Sequence, residues 1–296
     1  MSAHTLPSSL PAAAAADSSR DEQRWMLLDI APGAALVALL LVVPLLWLFW
    51  MSFSDGQGGL TLGNYTRIFA DGSYARAFNL TLWMAAATTL ICAVAGYTLA
   101  YALTLLPRWA VTIAMALIAL PFWTSVLVRT YAWLVLLQNR GIVNSLLLKS
   151  GLLDAPLPLM HNVTGALVGM VHIMLPFMVF PLYAALQKVD PDHVRAAAGM
   201  GASPTYTFWR VFFPQTVPGI VAGCVLVFVL CLGFYITPAL LGGGRTVVMS
   251  ILIEHEINGS MNWGVGSAVA VFFVAVVLAV FAVAGRWMPV DRLFQR

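Results

Sequence analysis

Charge is what this sequence has least of. Only 9% of its 296 residues are Asp, Glu, Lys or Arg, against 61% that are hydrophobic. A soluble domain carries roughly 25% charged residues because its surface faces water. So few charges cannot cover a soluble globule of this length, and the solvent of the folded chain is mostly lipid. Lysine is nearly absent. Lys149 and Lys188 stand alone and neither follows a glycine, so the Gly-Lys-Ser/Thr loop that cradles phosphate is missing. The formal charge of +3 is small and scattered. No basic stripe interleaves with aromatics and no run of five like charges occurs, which excludes nucleic acid as a partner. Cysteine is as scarce. Cys92, Cys224 and Cys231 fall in apolar stretches. The last two would stand about 10 Å apart on one helix, too far for a disulfide, and all three read as small core residues.

Catalytic constellations are missing too. His255-Glu256-Ile-Asn-Gly259 begins like a zinc-protease motif but has glycine where the second histidine is required. His4, His161, His172 and His193 are dispersed without metal spacing, and His172 reads as a hydrogen-bonded packing residue. No Gly-x-Ser-x-Gly elbow supports nucleophilic catalysis. The run Gly242-Gly-Gly-Arg245 lacks a phosphate-binding context and reads as a turn.

What is present is apolar length. A bilayer core about 30 Å thick takes around 20 apolar residues as helix. Six segments meet that requirement: 30–52, 79–105, 110–136, 163–186, 217–240 and 264–287. An all-α, polytopic transmembrane bundle is the fold class they predict. The third segment contains Pro121 and Arg129, and is either one span or a shorter span followed by an interfacial helix near Arg129. Residues 1–26, with Asp17, Arg20, Asp21, Glu22 and Arg24, read as a flexible cytosolic tail. The first apolar run is too long for a signal-peptide core and reads as an uncleaved anchor. Residues 27–296 then form one membrane domain. With the N-terminus in the cytosol, the inner segments hold Arg20, Arg24, Arg108, Lys188, Arg195, Arg210, Arg286, Arg292 and Arg296. The outer ones hold Arg67, Arg76, Arg140, Lys149 and Arg245, with Arg129 near the outer interface. The bias follows the positive-inside rule and puts both termini in the cytosol. Trp25, Trp47, Trp50, Trp133, Trp263 and Trp287 lie near span ends, where amphipathic rings favour the headgroup zone.

The longest cytosolic loop, about 188–216, carries the information. Pro191 beside Asp190 or Asp192 is a helix start. Ala196, Ala197 and Ala198 favour a short helix of little bulk, and Gly201 suits a left-handed exit. Ser203-Pro204 caps a second helix, amphipathic through Phe208, Val211 and Phe212. Pro214 and Pro218 are expected to break the chain as it re-enters the membrane.

This pattern resembles the EAA loop of type I ABC importer permeases, in which Glu-Ala-Ala, three residues and Gly are followed later by an apolar residue and Pro. Ala196, Ala197, Gly201, Ala202 and Pro214 match at the family spacing, while the family's Glu falls on Arg195. The stretches 121–133, 175–183 and 233–243 are similar to the spermidine/putrescine branch, and the resemblance runs from about residue 27 to the end.

The resemblance implies the type I permease fold and an importer of the bacterial inner membrane. Its further components would be a cytosolic ATPase dimer, a second permease subunit and a periplasmic substrate-binding protein. ATP and Mg would sit on the ATPase, with no cofactor on this chain. Asp192, Arg195, Ala196, Ala197, Gly201, Ala202 and Ser203 would contact the ATPase. Arg195 in place of Glu implies either an ATPase partner of altered charge, the favoured alternative, or that the second permease alone carries the usual contact.

For the path of a small solute, with a polyamine as the best guess, Trp123, Arg129, Phe234, Tyr235 and Glu254 are candidates. Each has a plainer reading: Arg129 as an interfacial anchor, Phe234 and Tyr235 as bundle packing, Glu254 and Glu256 as solvated surface. The rival functions are an autonomous secondary transporter or channel, which would want intramembrane carboxylates for a coupling ion, a membrane enzyme, and a permease for another solute.

Orientation is directly measurable. Alkaline phosphatase fused after Asp71, Asp154 or Arg245 is expected to be active, and a fusion at Asp192 silent. Activity at Asp192 would invert the topology.

Overall fold

The computed structural model describes the backbone of residues 12–56 and 58–287, with side chains over 30–56 and 58–282. Among the described residues, five helices are long and apolar enough to cross a membrane, or six when one bent pair counts as a span. They are α1 (Ala12–Ser52, crossing from Ile30), α3 (Gly72–Thr104), α7 (Val163–Leu186), the continuous helix Pro204–Leu232, and α13 (Trp263–Trp287). The bent pair is α4 (Arg108–Ala119), extended by a tight turn to Trp123, and α5 (Val126–Leu136), which turns away by 102°. Short helices α2 (Gly63–Ala70) and α6 (Ile142–Lys149) lie between spans. Among the described residues no strand forms beyond one isolated bridge between Ser54 and Leu60.

Several sequence expectations shift. The first helix extends back to Ala12, because the alanine run 12–16 is strongly helix-forming; residues 1–11 of the expected tail lie outside the described residues. So do Arg292 and Arg296, and the side chains of Arg20, Arg24, Trp25, Arg286 and Trp287. The second span begins earlier, at Gly72. Asp71 caps it, accepting the Ser73 hydroxyl at 2.6 Å and the Ser73 N–H at 2.8 Å. Those bonds, the hydroxyl's first, hold the exposed Asp71 carboxyl below the usual carboxylate range. The third segment is broken at Thr124–Ser125, where Ser125 caps α5 by accepting the Leu127 N–H. The fifth does not run through 217–240. It starts at Pro204 and stops at Leu232, and Ile236–Leu241 forms a separate helix, α11.

The centre of the bundle is α3, α7 and α10 (Phe213–Leu232) packed on one another. Lipid offers these helices little hydrophobic drive to associate, so close backbone approach carries the contact. Small residues supply it. A Cβ on Gly223 of α10 would stand 2.6 Å from the Met178 sulfur of α7, and one on Gly96 of α3 would stand 2.8 Å from Met178 Cγ. Met178 is fully buried between the two glycines, beside Val179 and Leu182. By contrast, the membrane window of α1 is wholly unburied and α4 buries none of its residues. Leu36, Leu40, Trp47, Ile113 and Leu117 are all more than half exposed, a surface suited to lipid and hostile to water.

The α7–α10 crossing gives a stability test. Gly223→Val should overpack Met178 and cost about 1–3 kcal/mol, read as a lower apparent melting temperature of the purified protein in detergent. An unchanged transition would show that this crossing is looser than it looks.

Candidate functional site

The segment between α7 and the fifth span is built by caps. Asp190 accepts the Asp192 N–H at 2.8 Å and Pro191 occupies the first turn of α8 (Pro191–Gly199). This is a favourable start, since proline has no N–H to leave unpaired there. α8 ends as the glycine foretold. Gly201 lies at φ +84°, its N–H donates to Ala198 C=O at 3.0 Å, and the Ala202 N–H donates to Ala197 C=O at 3.1 Å. This paired closure satisfies the last carbonyls of the helix. Ser203 Oγ then accepts the Tyr206 N–H at 3.3 Å and opens α9 (Pro204–Thr207).

From there the chain does not break at its prolines. A wide turn, Phe208–Phe212, passes directly into α10, with Pro214 in its first turn and Pro218 inside it. A wide turn already departs from the regular i→i−4 ladder, so the absent proline N–H is tolerated there.

Of the seven residues singled out on this segment, Asp192, Arg195, Ala196, Gly201 and Ser203 are exposed, Ala202 is half-buried and Ala197 is buried. Met200 beside them is 83% exposed. A Cβ on Gly201 would meet nothing within 4 Å, so this tip is open for another surface to approach. Arg195 pairs with Asp192 at 3.1 Å, both side chains over three-quarters exposed. Such a pair adds little stability, and its charges remain available to a partner.

The other candidates gather around two helix breaks. Arg129 lies one turn beyond the bend, half-buried, its Nε buried with no hydrogen-bond partner. On the next residue, the Thr130 hydroxyl lies 3.0 Å from that of Thr237, so α5 packs on α11. Phe234 and Tyr235 form the break that precedes α11, with Tyr235 38% exposed. The Phe234 carbonyl accepts the Ser250 hydroxyl at 3.0 Å, tying that break to α12 (Met249–Glu254) and so to the element carrying Glu254. Arg129, Phe234, Tyr235 and Glu254 are thus on neighbouring elements. Trp123 is set apart at the end of the α4 extension, 83% exposed. His172 is held by its ring, edge-on to Trp133 at 5.5 Å; no hydrogen bond to it forms among the described residues. Cys92, Cys224 and Cys231 are free.

Glu256 overturns its sequence reading as solvated surface. It is 7% exposed, and its Oε1 accepts the Tyr74 hydroxyl at 2.8 Å while Oε2 is buried without a partner. The wide turn His255–Gly259 carries it inward against α13, and Tyr74 lies 182 positions earlier in sequence. Nothing local to Glu256 announces such a contact. A second missed pair is His193 and Gln215, whose side chains meet at 3.3 Å.

The buried contact is testable. Tyr74→Phe leaves both Glu256 carboxyl oxygens unpartnered, at about 1–3 kcal/mol, and the apparent melting temperature in detergent should fall by several degrees. No fall would show that the hydroxyl contributes nothing net.

Residues 93–289 match the family model described as binding-protein-dependent transport system inner membrane component. The spermidine/putrescine transport system permease protein PotB of Haemophilus influenzae is 35% identical over 236 residues, 78% of this chain and 82% of that protein. Among solved structures, a chain of a bacterial ABC transporter involved in import of the acidic polysaccharide alginate superposes with a TM-score of 0.75. It is 19% identical and covers 94% of this chain and 100% of that one. The alginate transporter in complex with its pentasaccharide-bound periplasmic protein gives 0.73, at 19% identity, over 90% and 95%.

Proposed function

The chain belongs to the binding-protein-dependent transport system inner membrane components, and from that membership we propose that it passes polyamines from a periplasmic binding protein to the cytosol. It is a multi-pass inner-membrane permease of an ABC importer. The polyamine substrate rests on the spermidine/putrescine relatives. The binding-protein partner is supported by the family description and by the related complex that contains one.

ATP hydrolysis, with its Mg, belongs to a separate cytosolic ATPase dimer, and a second permease subunit completes the pore. Both termini and the α8 loop face the cytosol. The observation that carries the coupling reading is the tip of that loop: a glycine-closed helix end at Gly201, open on its outer side, followed by a helix that runs unbroken from Pro204 to Leu232. Asp192, Arg195, Ala196, Gly201, Ala202 and Ser203 meet the ATPase, with Ala197 packed beneath them. An unbroken helix transmits displacement of its end into the membrane, whereas a flexible linker would absorb it. Arg195 takes the place of an acidic residue, so the facing ATPase group carries the opposite charge to the usual one.

Solute passes by the helix breaks, where Arg129, Phe234, Tyr235 and Glu254 lie on adjoining elements. Irregular backbone at membrane depth is tolerated only against protein or a water-filled path, which favours this place for it. Trp123, exposed on the far side of the bend, faces the second subunit's share of that path. Aromatic faces hold an ammonium at about 0.5–2 kcal/mol each, a strength suited to release, so tight capture belongs to the binding protein.

The test is uptake of labelled spermidine by the four-component transporter in proteoliposomes. Gly201→Asp brings a β-carbon to φ +84° and a charge to the interface. It should reduce uptake to background while the chain still inserts in the membrane. Normal uptake by that variant would remove the loop from coupling.

A further inference from the structure

α8 is joined to the fifth span by more than the chain. His193 on α8 places Nδ1 3.3 Å from Oε1 of Gln215, and Gln215 Nε2 donates to the Val211 carbonyl at 2.7 Å. The two contacts fix each other. A carbonyl only accepts, so the amide nitrogen must face Val211, its oxygen must face His193, and His193 must carry a proton on Nδ1.

Val211 lies in the wide turn Phe208–Phe212, closed by the Phe213 N–H on the Phe208 carbonyl. That turn is clamped to α3. Phe208 and Phe212 each meet the Tyr101 ring at 5.8 Å, near edge-on, and Phe213 meets Tyr97 at 5.7 Å. Thr216, next to Gln215 and fully buried, lies 3.4 Å from the Tyr97 hydroxyl. One amide therefore connects α8 to the one irregular turn of the fifth span, at the point where that turn grips α3.

We infer that Gln215 is a positioning residue for transport. Its amide holds α8 in a fixed attitude to the wide turn, so that displacement of α8 rotates the aromatic turn against α3 instead of being lost as slack in the connection through Met200–Ser203. The inference rests on the reading of α8 as the coupling element. A single hydrogen bond near the surface contributes little to stability, so its loss should be read in coupling and not in folding.

The experiment uses the complete reconstituted transporter and records spermidine moved per ATP hydrolysed. Gln215→Met keeps the length of the side chain and removes both hydrogen bonds. It is expected to lower that ratio by about fivefold or more, the range of a typical coupling energy between sites, with the complex still co-purifying. His193→Ala should lower it as well, and the double variant should fall no further than the worse single one, because both residues act through one contact.

Gly201→Asp is measured alongside. An unchanged ratio in Gln215→Met, while Gly201→Asp abolishes uptake, overturns the amide link and leaves the coupling loop standing. Retained uptake in Gly201→Asp removes the coupling loop itself and the inference with it. Should Gln215→Met fail to assemble, His193→Ala alters only an exposed side chain, and an unchanged ratio there overturns the link equally.

Discussion

A backbone amide in hydrocarbon has no water to turn to, and an unpaired one costs several kcal/mol. Everything in this chain follows from where that constraint is met by helix and where it is met otherwise. The proline-free helices α3 and α13 pair their interior backbone within their own ladders. At the breaks, side chains take over. Thr124 donates to the Pro121 carbonyl at 2.9 Å, Ser250 donates to the Phe234 carbonyl at 3.0 Å, and Thr81 accepts the Met249 N–H at 2.8 Å. The Ser250 bond bridges 16 positions and the Thr81 bond 168. The irregular segments are therefore held in place by the regular helices they lie against, and the polar candidates of the path collect beside them.

The same economy governs packing. With little hydrophobic gain between helices in lipid, the α3–α7–α10 centre is organised by the absence of side chains at Gly96, Gly219 and Gly223, with Met178 filling the space between Gly96 and Gly223, while Gly169 lets α11 approach α7 through Leu241 and Thr237. A centre packed this closely has few ways to deform gradually, so motion is expected of whole helices and not of their interiors. The wide turn before α10 is the natural exception. It sits where the water-exposed α8 loop meets the membrane helix, its aromatics braced on Tyr97 and Tyr101.

Much of this was legible in sequence because its causes are local. Apolar length determined the spans, Asp190-Pro191 and Ser203-Pro204 determined helix starts, and Gly201 determined a left-handed exit, each acting within four residues through propensity or one hydrogen bond. The sparse charge alone determined the solvent. What only the tertiary structure decided depends on partners distant in the chain. Glu256 is drawn into the protein by Tyr74 and not left on its surface. Pro214 is carried into a continuous helix because it falls in the first turn after the wide turn, where the regular ladder is already interrupted, and Pro218 follows inside the same helix. The fifth span ends at Leu232 because Ser250 and the α5–α11 contact hold the break after it. A hydropathy run records how apolar a stretch is and carries no information about which side chain from another element will satisfy the backbone where the helix stops.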